Sequence, residues 1–130
     1  MHEKKIVGLV EPVKIIGEKE IDVLAKFDTG AQRTSIDKKL FDELGLEKIG
    51  KVKTVNVHGK SIRSLTEFEI VIKGEKFMVE ANVADRSKVK FKVLIGRNTI
   101  FNNFVVDITK SHNSAKIGDL NESLRNRGKN

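Results

Sequence analysis

Lys26-Phe27-Asp28-Thr29-Gly30-Ala31 is the stretch that decides how this chain is read. It ends an apolar run, Ile21-Asp22-Val23-Leu24-Ala25-Lys26-Phe27, that has the composition of a β-strand. Asp28 is therefore drawn toward an interior where an isolated charge is costly. Thr29 brings a hydroxyl that can hydrogen-bond, and Gly30 lets backbone approach without a Cβ. Such surroundings can hold one carboxylate and leave room for a second beside it.

Working outward, Val13-Lys14-Ile15-Ile16 precedes the polar turn Gly17-Glu18-Lys19-Glu20, so residues 13–27 read as a β-hairpin. Pro12 stands ahead of the strand interior, where a missing N–H is tolerated. After the aspartate, Ile36, Leu40, Phe41 and Leu44 carry helical spacing and Gly45 closes it, which predicts a short helix over 36–46. Val52–Val57 alternates and returns through His58-Gly59-Lys60 into Ser61–Leu65. Phe68–Ile72 and Phe77–Val83 flank Lys73-Gly74-Glu75-Lys76 as a further hairpin. Lys88–Val93 alternates lysine with apolar residues and runs into Leu94-Ile95-Gly96, predicting an edge strand that ends buried. A helical turn is expected over 96–101 and a strand over 104–108. The expected organisation is one domain, residues 1–110, mainly β with one or two short helices. Residues 111–130 are expected to be a polar tail, either mobile or a weak helix with Ile117, Leu120 and Leu124 on one face.

Four ordered segments carry a resemblance. They are Lys26-Phe27-Asp28-Thr29-Gly30-Ala31, Asp85-Arg86-Ser87, Leu94-Ile95-Gly96-Arg97 and Phe104-Val105-Val106-Asp107. Together they resemble the retropepsin-like aspartic proteases, and within them a bacterial and archaeal branch labelled ATP-dependent zinc proteases. The resemblance implies a closed β-barrel of the acid-protease type, in which Leu94, Ile95, Gly96 and Arg97 pack behind the aspartate loop and support it. It implies Asp28, Thr29 and Gly30 as the catalytic triplet. Substrate would lie against Ala31 and under a hairpin flap at His58, Gly59 and Lys60. Gln32 and Arg33 depart from the viral enzymes, where an acidic residue at this place pairs with the arginine matching Arg97. The flap carries one glycine and not a glycine-rich tip.

The words zinc and ATP find no support in the residues. His2, His58 and His112 lie far apart with no ligand spacing, and the chain has no cysteine, so no metal is expected. Gly59-Lys60-Ser61 imitates the end of a phosphate-binding loop, but Thr54 stands where that motif needs its first glycine. No cofactor is expected. The formal charge of +7 raises nucleic acid as a partner, yet the chain lacks Trp and Tyr, which argues against single-strand stacking. A basic surface can instead suit an acidic peptide or protein substrate. The apolar runs are too short for a membrane span or a signal peptide, and the absent cysteines fit a reducing cytoplasm.

Aspartic proteolysis needs two carboxylates, and the chain offers one Asp-Thr-Gly. The expectation is therefore a homodimer acting as an endopeptidase, with one Asp28 from each subunit. The alternative is a dimeric peptide-binding module on the same fold, without catalysis.

Overall fold

The computed structural model describes residues 3–110. The expected tail over 111–130 lies outside the described residues. The chain runs β1 (Lys5–Val7), β2 (Val10–Ile16), β3 (Glu20–Phe27), β4 (Thr34–Asp37), α1 (Lys38–Glu43), β5 (Lys48–Asn56), β6 (Gly59–Ile72), β7 (Glu75–Ala84), β8 (Val93–Ile95), α2 (Arg97–Ile100) and β9 (Phe104–Val106).

The three hairpins foreseen from alternation and turn residues all form: β2–β3, β5–β6 and β6–β7. Their strands join β8 and β4 in the order β2-β3-β8-β4-β7-β6-β5, and β2 also pairs with β6. That second pairing, Val13↔Ile72 through Ile16↔Glu69, closes the sheet into a barrel. The interior is apolar because alternate residues of each strand point inward. Val13, Ile15, Phe27, Ile36, Phe68, Ile70, Ile72, Val79 and Ile95 are all buried there. Phe27 meets Phe104 edge-to-face, with ring centroids 5.7 Å apart at 78°, which anchors the end of β3 beneath the aspartate. Parallel β1 and β9 form a small ribbon beside the barrel.

Two expectations are corrected. The helix begins at Lys38, not Ile36, because residues 34–37 are strand β4, buried throughout and paired with both β7 and β8. Asp37 caps α1 by accepting from Lys39 N at 3.2 Å, and the chain leaves through Gly45, φ 65°. The alternating lysines of 88–92 do not make a strand. Lys92 Nζ instead donates to the carbonyls of Arg86, Ser87 and Val89 at 2.8, 3.1 and 3.0 Å. Those contacts fold the segment into a turn, and β8 starts only at Val93. The helical turn α2 falls within the expected segment, and the last strand stops at Val106.

Candidate active site

The aspartate loop is built by a crossing. Strands β3 and β4 lie on either side of β8, parallel and antiparallel to it respectively, so residues 28–33 must bridge over its C-terminal end. Asp28 N donates to Ile95 O at 2.8 Å and completes the β3–β8 ladder. Beyond that point Arg97 N donates to Ala31 O at 2.8 Å and Asn98 N to Gln32 O at 3.2 Å. The start of α2 therefore holds the far limb of the loop as β8 holds the near one.

Gly96 is where the two limbs touch. A Cβ at this position would stand 2.4 Å from both the carbonyl carbon and oxygen of Arg33, and backbone atoms there cannot swing aside. The run of two apolar residues and a glycine is thus a steric requirement of the crossing. Below it, Thr34 is wholly buried and its hydroxyl is fully used. It accepts from Gly96 N at 3.1 Å, lies 2.9 Å from Asn98 Oδ1 and 2.7 Å from Thr99 Oγ1. One donation, to Asn98, and two acceptances satisfy the hydroxyl's whole capacity. Asn98 Oδ1 also accepts from Thr34 N at 2.8 Å, while its amide donates to Glu80 O at 2.8 Å.

The Asp28 carboxylate is half-buried, and its Oδ1 accepts from Gly30 N at 2.9 Å. Arg97 reaches back from α2, its guanidinium donating to the carbonyls of Thr29 and Gly30 at 3.2 and 3.3 Å. The acidic partner absent from positions 32 and 33 is thereby replaced by main-chain oxygens. Arg33 turns the other way, to Glu80 at 3.2 Å. Behind the loop stands half-buried Arg86, whose N donates to Asp37 at 2.7 Å and whose Nε donates to Phe91 O at 2.9 Å. Burial, and next the Arg63 charge, hold its pKa below the usual guanidinium value, against the opposing carboxylates of Asp37 and Asp28.

Two openings flank the aspartate loop. One, about 340 Å³, is lined by Leu9, Lys26, Phe27, Asp28, Thr29, Val106 and Ile108 and is largely apolar. The other is a cleft of about 490 Å³ between the loop and the β5–β6 hairpin. Gly30, Ala31, Gln32 and Arg33 form one wall, with Lys53, Thr54, Val55 and Arg63 opposite. Asp28, Thr29, Gly30, Ala31, Leu94, Ile95, Gly96 and Arg97 are thus brought together. His58, Gly59 and Lys60 sit at the exposed end of the hairpin, outside the cleft lining. Thr34, Asn98 and Thr99 were not foreseen as a unit; the Gly-Arg-Asn continuation after a buried strand was the available signal. Among the described residues no three His, Cys, Asp or Glu side chains converge as a metal site would require. No helix among them is long and apolar enough to cross a membrane.

Comparison with known proteins places this geometry. The aspartyl protease family profile matches residues 11–99, from β2 into α2. No curated protein matches significantly. Among solved structures, the Legionella pneumophila protein Lpg0085, of unknown function, superposes with a TM-score of 0.64 at 19% identity, covering 84% of this chain and 97% of that one. The EIAV protease bound to the inhibitor HBY-793 gives 0.58 at 20% identity, with 70% and 83% covered. The simian foamy virus protease gives 0.54 at 15% identity, with 70% and 90% covered. The profile spans most of the barrel together with its loop crossing, and the chain belongs to the aspartyl protease family with a retropepsin-like fold.

Proposed function

We propose that the protein is a homodimeric aspartic endopeptidase whose two catalytic carboxylates are Asp28 of each copy. The observation that carries this reading is a single Asp-Thr-Gly, held on a loop fixed at both ends, with its carboxylate half-exposed beside an apolar opening. One carboxylate cannot serve as base and acid in the same step. Two brought together across a twofold axis share a proton, because both cannot ionise comfortably at close range.

Leu9 and Ile108 are exposed around Asp28 and Thr29 and offer apolar surface for the second copy. Across the axis, Thr29 would brace its counterpart. The ionised Asp28 takes a proton from water as its oxygen adds to the scissile carbonyl. The protonated Asp28 donates its proton to the carbonyl oxygen. Collapse of the gem-diol breaks the C–N bond as the leaving nitrogen is protonated and the carboxyl product forms, returning the pair to one shared proton. Gly30 presents backbone to an extended peptide, and the β5–β6 hairpin, including His58, Gly59 and Lys60, covers it against water.

Asp28→Asn tests the reading. Digestion of a peptide library is expected to fall to background, with the dimer retained in sedimentation. Undiminished cleavage by that variant, or activity in a strictly monomeric protein, overturns it. Saturable peptide binding by the wild type without cleavage would instead favour the non-catalytic module.

A further inference from the structure

Among the described residues two carboxylates are buried, Asp37 and Glu11. Asp37 is accounted for by the α1 cap and by Arg86 N. Glu11 is only 1% exposed and lines neither opening beside the aspartate loop. Its Oε2 accepts from the N–H of buried Gly8 at 2.7 Å. Its Oε1 has no hydrogen-bond partner among the described residues and is met by Lys73 Nζ at 3.4 Å. Lys73 stands in the β6–β7 turn at φ 52°, a left-handed backbone where Asn or Gly is the usual occupant. From there its carbonyl also accepts from Lys5 Nζ at 2.9 Å. Residues 5–11 are therefore tied to that turn at two points, and Glu11 carries the buried one.

What this segment holds is the strand that ends in Asp28. Leu9 O accepts from Phe27 N at 2.8 Å, and Leu9 N donates to Lys110 O at 3.2 Å. Leu9 is thus the joint between β3 and the chain that follows β9. Asp28 N is already gripped by Ile95 O on the β8 side of β3, and Leu9 supplies the grip on the β2 side, one residue before the carboxylate. Gly8, next to the joint, has no side chain by which to be packed in place, so Glu11 fixes it through its N–H. A charged acceptor makes that a short, strong bond, and its loss would leave a buried donor unpaired. Resting on the peptidase reading above, we infer that Glu11 is a positioning residue for Asp28, acting through Gly8 and Leu9 on the end of β3 from which the catalytic carboxylate projects. A misplacement of about an ångström there is enough to cost much of the turnover. Because Glu11 lines neither opening, its loss should slow turnover and spare peptide binding.

Amide hydrogen exchange, followed by NMR in the full-length Asp28→Asn protein, reads this link without catalysis. The reference amide is Val79 on β7, which pairs with neither β2 nor β3. Glu11→Leu removes the acceptor, and exchange at Phe27 is expected to rise at least about tenfold more than at Val79. With Asp28 intact, the same change should lower kcat about tenfold and leave KM within about twofold. Glu11→Gln keeps an oxygen for Gly8 N and is expected to recover most of both. Should Glu11→Leu not fold, Glu11→Asp withdraws the carboxylate by one methylene and should show the same selective exchange, with a kcat loss of about threefold. Equal increases at Phe27 and Val79 overturn the inference, because they report lost stability alone. So does a Glu11→Gln protein as impaired as Glu11→Leu. An unchanged kcat with Phe27 loosened overturns it too, while keeping the peptidase. Selective loosening of Phe27 in a protein whose wild type cleaves no peptide supports the link from Glu11 to β3 and fails the peptidase.

Discussion

The aspartate loop and the β5–β6 hairpin face each other across the cleft and are built on opposite plans. The loop is gripped from below by Ile95, Arg97 and Asn98, propped by Thr34, and pressed against Gly96 with no room for a methyl group. The outer hairpin, residues 50–64, pairs only with itself until Leu65 meets Asn82 of β7. Its tip is bare, Val57 being 95% exposed, and a two-stranded ribbon is marginally stable alone. The proposed catalysis needs both properties. A carboxylate must be held to a fraction of an ångström, and a cover must open and shut over substrate. The contrast teaches that rigidity here comes from side chains and backbone that cross-link distant segments, not from strand length.

The sharpest way to break the contrast is Gly96→Ala. The added methyl must displace the Arg33 backbone, and a loss of about 3 kcal/mol or more is expected in denaturant unfolding, with cleavage abolished. A change below about 0.5 kcal/mol would mean the crossing is looser than its geometry implies. Thr34→Val comes next. It keeps the volume but leaves the buried Gly96 N–H without its acceptor, for an expected cost of about 2 kcal/mol, most of it recovered by Thr34→Ser. On the hairpin side, Gly59 sits at φ 119° with open space around it. Gly59→Ala is strained by its backbone alone and should cost about 1 kcal/mol or less, raising KM for a peptide more than it lowers stability. A cost matching that of Gly96→Ala would erase the distinction between the two regions.

The smallest expected effect concerns acid. Asp85 and Asp107 lie below the ordinary carboxylate value of 3.8, held there chiefly by the hydroxyls of Ser87 and Thr109 and next by their backbone N–H groups. A lowered folded-state pKa contributes stability fully above 3.8, and that contribution is lost as pH falls through the lowered value. Ser87→Ala should therefore reduce stability slightly at neutral pH and weaken its fall on acidification, read by chemical unfolding at pH 7 and about pH 2. An unchanged pH dependence would show that this turn, unlike the aspartate loop, does not use its side chain to hold its shape.

The sequence disclosed the regular parts of this architecture and hid the crossed ones. Turn residues at Gly17, Gly59 and Gly74 between alternating runs made all three hairpins legible. Asp28 could be read because it ends an apolar strand and because Leu94-Ile95-Gly96-Arg97 and the other ordered segments resemble the retropepsin-like proteases; Asp-Thr-Gly alone is three common residues. Strand β4 was hidden: Thr34, Ser35 and Asp37 are polar, and what buries them is supplied by Asn98, Asn82 and Arg86, distant in sequence. The lysine alternation of 88–92 misled for a related reason. Period two records only that side chains differ in turn, and not that one ammonium will gather three carbonyls into a loop. The candidate cleft was half visible. Its aspartate-loop wall was marked by the motif, while Lys53 and Arg63 became its opposite wall only once the hairpin folded over.

Because β2 joins β6 and closes the ring, β5 is left, among the described residues, as the one strand of the main sheet with a single neighbour. Its outer rim is an open template onto which another molecule's extended segment could add, the first step of fibrous aggregation. Lys48, Lys51 and Lys53 punctuate that rim, and an irregularity at Lys48/Gly50 breaks its register. Clustered ammonium groups repel an identical rim and make unlimited stacking unfavourable. The same lysines that give the hairpin its positive character thereby oppose edge-to-edge association between copies.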